Sequence, residues 1–247
     1  MARRRTGSVL ANCIPPLATR KPPLSAGSTD AADPFRPTVP QAVQIAGPAG
    51  AIEARVEDPL EQGATRRVVG VVCHPHPLYG GTMQNKVVHT AARAMQEAGA
   101  ATVRFNFRGV GASAGSHDQG VGELADALAV IDWTRRHFDC DELRLGGFSF
   151  GAATALQAAV RGARPAKLVT IAPPVGRIIT EPVLRPDCPW LIVQGDEDEL
   201  VDIAAVRSWA RNFVPAPELT VIAGAEHFFH GKLGELRAAI LAFLRKA

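Results

Sequence analysis

Residues 147–151 (Gly-Phe-Ser-Phe-Gly) constrain the possible folds of this 247-residue chain more than any other segment. Apolar and polar side chains alternate over residues 143–145, which is typical of a strand, while the Ala-rich residues 152–160 lack Gly and Pro and predict a helix. A strand that turns directly into a helix with Ser149 at the apex is typical of a nucleophile elbow, which lifts the hydroxyl clear of the sheet. We interpret Gly147 and Gly151 as positions where strand and helix approach too closely for side chains.

Strand and helix patterns alternate over most of the chain. Residues 68–73, four of which are valines, form a continuous apolar run, which is typical of a strand buried on both faces of a parallel sheet. Further strands are predicted at residues 102–107, 143–145, 167–172, 190–193 and 219–222, with weaker ones at 43–46 and 51–56, and helices at 83–98, 121–138, 152–160, 203–213 and 233–243. The sequence therefore predicts an α/β domain over residues 42–247, with a mostly parallel central sheet and helices on both faces.

Residues 1–41 differ from the rest in composition. Residues 1–40 hold seven of the nineteen prolines, with six basic and two acidic side chains and no strand or helix period. We expect residues 1–41 to be a disordered, Pro-rich, basic tail. The apolar stretch after the N-terminal arginines is too short for an export signal.

Charge and cysteine spacing exclude several functional classes. Beyond the tail, basic and acidic side chains nearly balance, so we expect no nucleic-acid partner. No apolar run reaches the length of a membrane span, so no membrane partner is expected. The four cysteines form no C-x-x-C pair, which favours free thiols and a cytoplasmic location.

A serine nucleophile needs a base to take its proton and an acid to orient that base. The acid and the histidine are expected after the serine, in that order along the chain. After the strand at 190–193, Asp198 lies further into its loop than Asp196, which is placed to make the turn, so we favour Asp198. After the strand at 219–222, His227 comes first and is favoured as the base, whereas His230 is assigned to packing or capping.

Acyl transfer also needs N–H donors for the developing oxyanion. The residue after the nucleophile supplies one, which here is the backbone N–H of Phe150. The second is expected from the loop at residues 74–81, where two prolines have no N–H to give. His76 is therefore the first candidate and Tyr79 the next.

The spacing of His74 and His76 would also suit a pair of metal ligands. No third ligand of matching character is near them in the sequence. We predict no metal and no cofactor.

Five segments together resemble a family of small bacterial α/β-hydrolases, close to the serine esterases and the serine aminopeptidase-like hydrolases. They are residues 74–86 (HPHPLYGGTMQNK), 104–111 (RFNFRGVG), 147–151 (GFSFG), 195–198 (GDED) and 227–231 (HFFHG). The resemblance spans roughly residues 67–244 and implies the α/β-hydrolase fold with Ser149, Asp198 and His227 as a catalytic triad. It implies no particular substrate.

The short connection between the strands at 167–172 and 190–193 excludes a large lid over the site. We expect an open pocket with Tyr79, Phe148 and Phe150 as apolar walls. The sequence then predicts a serine hydrolase that cleaves a small-molecule carboxylic ester or thioester through an acyl-enzyme, as a monomer or homodimer. A peptidase or amidase of the same fold remains an alternative, as does a binding protein that has kept the fold without the chemistry.

Overall fold

The computed structural model describes residues 40–58, 67–180 and 182–246. The predicted tail lies outside the described residues, apart from its last two positions. The described strands are β1 (Gln41–Gly47), β2 (Gly50–Glu57), β3 (Val68–Cys73), β4 (Ala101–Phe105), β5 (Glu142–Phe148), β6 (Lys167–Ile171), β7 (Trp190–Gly195) and β8 (Glu218–Ile222). The described α-helices are α1 (Lys86–Glu97), α2 (Val121–Phe138), α3 (Phe150–Ala158), α4 (Ile203–Arg211) and α5 (Leu233–Leu244).

The described strands form one eight-stranded sheet in the order β1-β2-β4-β3-β5-β6-β7-β8. β1 pairs with β2, and β2 with β4, in antiparallel fashion, while the remaining neighbours are parallel. The strand order reverses at β3, which lies between β4 and β5. Loops at the carboxyl ends of the strands around such a switch point diverge and leave a crevice for a ligand.

Helices cover both faces of the sheet. One hydrophobic cluster joins the sheet to apolar residues of α2, α3 and α4, and a second joins it to apolar residues of α1 and α5. The central strands are consequently buried almost throughout. The predicted sheet with helices on both faces is confirmed.

The connection from β6 to β7 runs over residues 172–189, and its described part contains no helix and no strand, only a turn closed by one bridge between Val175 and Ile179. The described residues thus hold no lid. The described helices include none with the length and apolar content needed to cross a membrane.

Candidate active site

Ser149 lies between the last residue of β5 and the first residue of α3, with φ 53° and ψ −117°. Its backbone is fixed on both sides: its N–H donates to Ile171 O at 2.9 Å, and its carbonyl accepts from Ala152 N at 2.8 Å. A non-glycine residue with such a positive φ stores strain of about 1–3 kcal/mol. The surrounding hydrogen bonds hold the serine in this conformation at the carboxyl edge of the sheet.

The two glycines of the elbow have no room for a side chain. A Cβ atom at Gly147 would lie 2.0 Å from the carbonyl oxygen of Gly151, and one at Gly151 would lie 2.3 Å from that of Cys73. The interpretation of both glycines as close-approach positions is therefore confirmed. Their absence of side chains lets α3 begin directly against the ends of β3 and β5.

The side chains of Ser149, His227 and Asp198 form a continuous hydrogen-bonded row. His227 Nε2 lies 3.0 Å from Ser149 Oγ, and His227 Nδ1 lies 2.8 Å from Asp198 Oδ2. Because a carboxylate only accepts hydrogen bonds, Nδ1 carries the proton and Nε2 is left to accept from the serine hydroxyl. This is the tautomer in which the imidazole can act as a base toward Ser149.

Asp198 is surrounded by donors. Its Oδ1 accepts from the backbone N–H groups of Leu200 and Val201, each at 2.9 Å, and its Oδ2 accepts from Gln194 Nε2 at 2.7 Å. Burial alone would raise the pKa of this carboxyl, but the hydrogen bond and charge of His227 and the two backbone donors outweigh it and lower the pKa. Asp198 is therefore ionised and fixed while its side chain has no exposed surface.

The two alternative residues lie elsewhere. Asp196 Oδ1 accepts from Gly224 N at 2.7 Å, so this carboxylate ties together the loops after β7 and β8. The His230 ring is exposed and pairs with Glu226, four residues earlier, at 3.2 Å, so its assignment to packing or capping was wrong. Neither side chain has a hydrogen bond to Ser149 or His227.

The loop after β3 is tightly folded beside the elbow. The carbonyl of His76 accepts from the N–H groups of Tyr79 and Gly81, both at 3.1 Å, and Pro77–Tyr79 form a single 3₁₀ turn. A Cβ at Gly81 would lie 2.1 Å from the carbonyl oxygen of Pro75, so only glycine closes this loop. The His76 side chain faces the same cavity as Ser149.

His74 connects this loop to the neighbouring strand end and is fully buried. Its Nδ1 lies 2.6 Å from Pro75 O, and its Nε2 lies 3.0 Å from Phe107 N. The carbonyl must accept and the amide must donate, so the ring is neutral with its proton on Nδ1. Burial lowers the pKa of His74 to about 4, despite the opposing hydrogen bond to Pro75 and the charge of Glu123.

A cavity of about 460 Å³ opens in front of the serine. Its lining combines Ser149 and His227 with the loop after β3 and the connection from β6 to β7, as well as Leu200 and Val201. Tyr79, which is 86% exposed, is among the lining residues, as expected.

The expectation that Phe148 and Phe150 form walls of this cavity was wrong. Phe148 is fully buried under α1 and α5, where its ring centroid lies 5.1 Å from that of His227. Phe150 is buried on the opposite face and packs against His76 and Phe107. The flanking residues of the elbow point into opposite halves of the core, so neither side chain reaches the cavity.

Two residues near the cavity were not predicted from the sequence. His117 packs against the His76 ring, with centroids 4.9 Å apart, and its Nδ1 lies 2.9 Å from the buried Glu123. Arg177, in the connection from β6 to β7, lines the cavity itself. Both residues lie in loops, where no helical or strand period indicates which side chains will be neighbours. Their proximity to the cavity is therefore visible only in the folded structure.

Among the described residues, no group of three or more His, Cys, Asp or Glu side chains could hold a metal ion. His74 has both ring nitrogens engaged with backbone groups and none left for a ligand bond.

Fold and site together define an α/β serine hydrolase. Comparison with known proteins agrees: a family model described as X-Pro dipeptidyl-peptidase (S15 family) matches residues 51–181. This match covers more than half of the chain, and the chain belongs to this family.

Solved and curated relatives are similar over most of their length. XC6422 from Xanthomonas campestris, a serine hydrolase of this fold without a lid, is 45% identical, with 86% of this chain and 97% of that one covered and a TM-score of 0.79. An α/β serine hydrolase homologue from Coxiella burnetii is 44% identical, with 82% and 96% covered and a TM-score of 0.77. The uncharacterized protein RP471 of Rickettsia prowazekii (strain Madrid E) is 37% identical over 207 residues, which are 80% of this chain and 86% of that protein.

Proposed function

We propose that this hydrolase cleaves a carboxylic ester, or a thioester, of a small molecule through an acyl-enzyme intermediate. The observation that supports this proposal most is the continuous row from Ser149 Oγ through the His227 ring to Asp198, in which the serine and the histidine line an open cavity. Acyl transfer needs a buried, ionised acid, a base in the required tautomer and a strained serine at a helix N-terminus.

In the proposed first step, Ser149 Oγ attacks the ester carbonyl carbon while His227 Nε2 takes the hydroxyl proton. Asp198 holds the imidazole in place and stabilises its positive charge. The backbone N–H groups of Phe150 and His76 are the proposed donors to the oxyanion. Neither N–H has a hydrogen-bond partner among the described residues, so both are available. Each such donor contributes about 10²–10³ in kcat.

The protonated His227 then gives its proton to the leaving alcohol or thiol, which departs and leaves the acyl group on Ser149. In the second half, the same ring takes a proton from water, which attacks the acyl carbonyl. The proton returns to Ser149 as the acid product leaves. Because the cavity is open, water has direct access to the acyl-enzyme.

A second candidate is peptide hydrolysis, which the match to the S15 family model favours. A peptidase that binds a free N-terminus needs a carboxylate to receive the ammonium group. Among the described residues that line the cavity, the only permanent charge is the guanidinium of Arg177, and no carboxylate contributes to the lining. An ammonium group would therefore meet a like charge, and we favour the ester.

The test combines labelling and turnover. A fluorophosphonate probe should label the wild-type protein and fail to label Ser149→Ala, because the probe reacts only with an activated serine. The wild type should hydrolyse short p-nitrophenyl esters and Ser149→Ala should lose turnover by several orders of magnitude, about 10⁶ where a triad serine was removed from a protease.

A parallel panel of X-Pro dipeptide anilides and aminoacyl anilides decides between the two candidates. Anilide turnover that matches or exceeds ester turnover would replace the ester proposal with the peptidase. Unlabelled wild-type protein with no ester turnover would refute both.

We further propose that the enzyme acts in the cytoplasm as a monomer or homodimer, and that it binds a small-molecule substrate. The three cysteines among the described residues are free thiols, which fits a reducing compartment. Light scattering coupled to size-exclusion chromatography should give the mass of one or two chains, and a larger assembly would contradict this.

A further inference from the structure

Arg177 lies in a turn whose backbone is held by several hydrogen bonds. The Pro174 carbonyl accepts from the N–H groups of Arg177, Ile178 and Ile179, at 3.2, 3.0 and 3.0 Å, and Gly176 N donates to Ile179 O at 3.0 Å. Gly176 has φ 76°, a conformation that favours glycine, so this turn is specified by the sequence. Arg177 and Ile178 are presented together at the wall of the cavity.

The Arg177 side chain is anchored as well. Its Nη1 donates to the carbonyl of Leu200 at 3.1 Å, and the N–H of Leu200 donates to Asp198 Oδ1 at 2.9 Å. Although Arg177 is exposed, this hydrogen bond connects its guanidinium group to the loop that carries Asp198. A side chain restrained in this way loses less entropy on binding a ligand than a freely moving one.

The anchoring bond uses one of the five N–H donors of the guanidinium group. Among the described residues, no carboxylate lies within ion-pair distance of Arg177, although Glu199 precedes its anchor Leu200 in the chain. The Glu199 carboxylate instead accepts from His227 N at 3.1 Å. Arg177 lines a cavity whose other described lining residues carry no permanent charge.

We infer that the substrate carries an anionic group, a carboxylate in its simplest form, which Arg177 binds while the scissile ester lies at Ser149. The guanidinium group matches a carboxylate with two parallel hydrogen bonds, and the opposite charges make these bonds stronger than those to a neutral group. The exposed apolar side chains of Tyr79, Ile178 and Leu200 line the same cavity and cover the uncharged part of the substrate. This inference rests on the proposed ester hydrolysis and names its substrate class as anionic esters.

Two matched substrate pairs test it, one for each side of the ester. 4-Acetoxybenzoate and its methyl ester differ by one charge in the leaving group, and monophenyl adipate and its methyl ester differ by one charge in the acyl group. The measurement is the ratio of kcat/KM for the anionic and the neutral member, in wild type and in Arg177→Met. Comparing this ratio between enzymes cancels the intrinsic reactivity of each ester.

In Arg177→Met the ratio should fall about 10-fold to 100-fold for the pair whose carboxylate reaches position 177, as expected for the loss of a hydrogen-bonded ion pair. Arg177→Lys keeps the charge without the planar fork, so its ratio should lie between those of the wild type and Arg177→Met. Higher salt should weaken the wild-type preference but not that of Arg177→Met. The matched control is Arg161→Met, which removes another exposed arginine outside the cavity lining and should leave the ratio unchanged.

Equal losses on the anionic and the neutral member would overturn the inference, because they would mean that Arg177 only supports the loop of Asp198. An unchanged ratio in both pairs would overturn it too, while fluorophosphonate labelling of Ser149 and turnover of the neutral esters would leave the proposed function standing. Absence of labelling and of turnover on all four esters would refute both.

Discussion

At the scale of single residues, the site depends on which groups are able to donate hydrogen bonds. Every polar neighbour of the Asp198 carboxylate is a donor: two backbone N–H groups, the Gln194 amide and His227 Nδ1. An amide in place of this carboxylate would direct its NH₂ group at one of these donors. The surroundings of position 198 therefore favour a carboxylate over an amide, independently of the proposed role of Asp198.

Asp198→Asn should lower kcat by about 10³–10⁴, because the amide favours the wrong tautomer of His227. The control is Asp196→Asn, whose amide oxygen can still accept from Gly224 N, and it should retain near-normal kcat. Initial rates on a p-nitrophenyl ester, with fluorophosphonate labelling of both variants, check this. A larger loss in the Asp196 variant would reassign the acid.

His74 gives a prediction about stability and pH. Its pKa is about 4 in the folded chain, below the ordinary 6.5, because its ring is buried. Between these two values the unfolded chain binds a proton that the folded chain does not. Stability should therefore be complete above pH 6.5 and should decrease as the pH falls toward 4, by up to about 3 kcal/mol from this residue.

His74→Gln should be less stable than wild type at pH 7, yet it should lose less stability between pH 7 and pH 4.5. Its side-chain oxygen can still accept from Phe107 N, and it has no proton to gain. Urea unfolding at several pH values gives both quantities. His230→Gln, which changes an exposed ring, should keep the wild-type pH slope, and an identical slope in His74→Gln would show that His74 does not contribute to it.

At the scale of elements, the site depends on how closely α3 approaches the ends of β3 and β5. Replacing Gly151 by alanine should gain at most about 1 kcal/mol of helix preference. The added Cβ would meet two carbonyl oxygens, of Cys73 and His74, at 2.3 and 2.5 Å. Since these atoms belong to the backbone, the helix or the strand has to move. The repulsion between the new Cβ and the two oxygens then exceeds the free energy gained from the higher helix preference of alanine.

We expect Gly151→Ala to lower the free energy of unfolding by about 3 kcal/mol or more and to reduce kcat through displacement of Phe150 N and the adjacent loop. Gly234→Ala is the matched control, because a Cβ in that helix position meets nothing within 4 Å. It should match or slightly exceed wild-type stability in thermal and urea unfolding. Similar stability of the two variants would show that the elbow tolerates a side chain.

The elements themselves were largely predictable. The long apolar periods located α2 over Val121–Phe138, the buried strands and the final helix, since burial on one or both faces imposes those periods. Strand order was not predictable, because the exchange of β3 and β4 depends on pairing between distant segments. The direction of the Phe148 and Phe150 side chains also depended on the turn geometry at Ser149, which no local pattern encodes.

At the scale of the whole molecule, the absence of a lid among the described residues leaves the cavity open without any rearrangement. A lid that opens on a lipid surface makes turnover rise sharply once a substrate forms micelles. Here we expect the rate on a long-chain p-nitrophenyl ester to saturate smoothly through the critical micelle concentration. A sharp rise at that concentration would mean that some segment closes the cavity in solution.

The opposed burial of Phe148 and Phe150 has a consequence for how such a protein can change over evolution. Ser149 lies between two residues that pack into separate parts of the core, so a shift of Ser149 would require both parts to repack at once. In the turn that carries Arg177, by contrast, Gly176, Arg177 and Ile178 are exposed at the surface. Substitutions in the connection from β6 to β7 can therefore change the substrate preference, while the arrangement of Ser149, His227 and Asp198 stays the same.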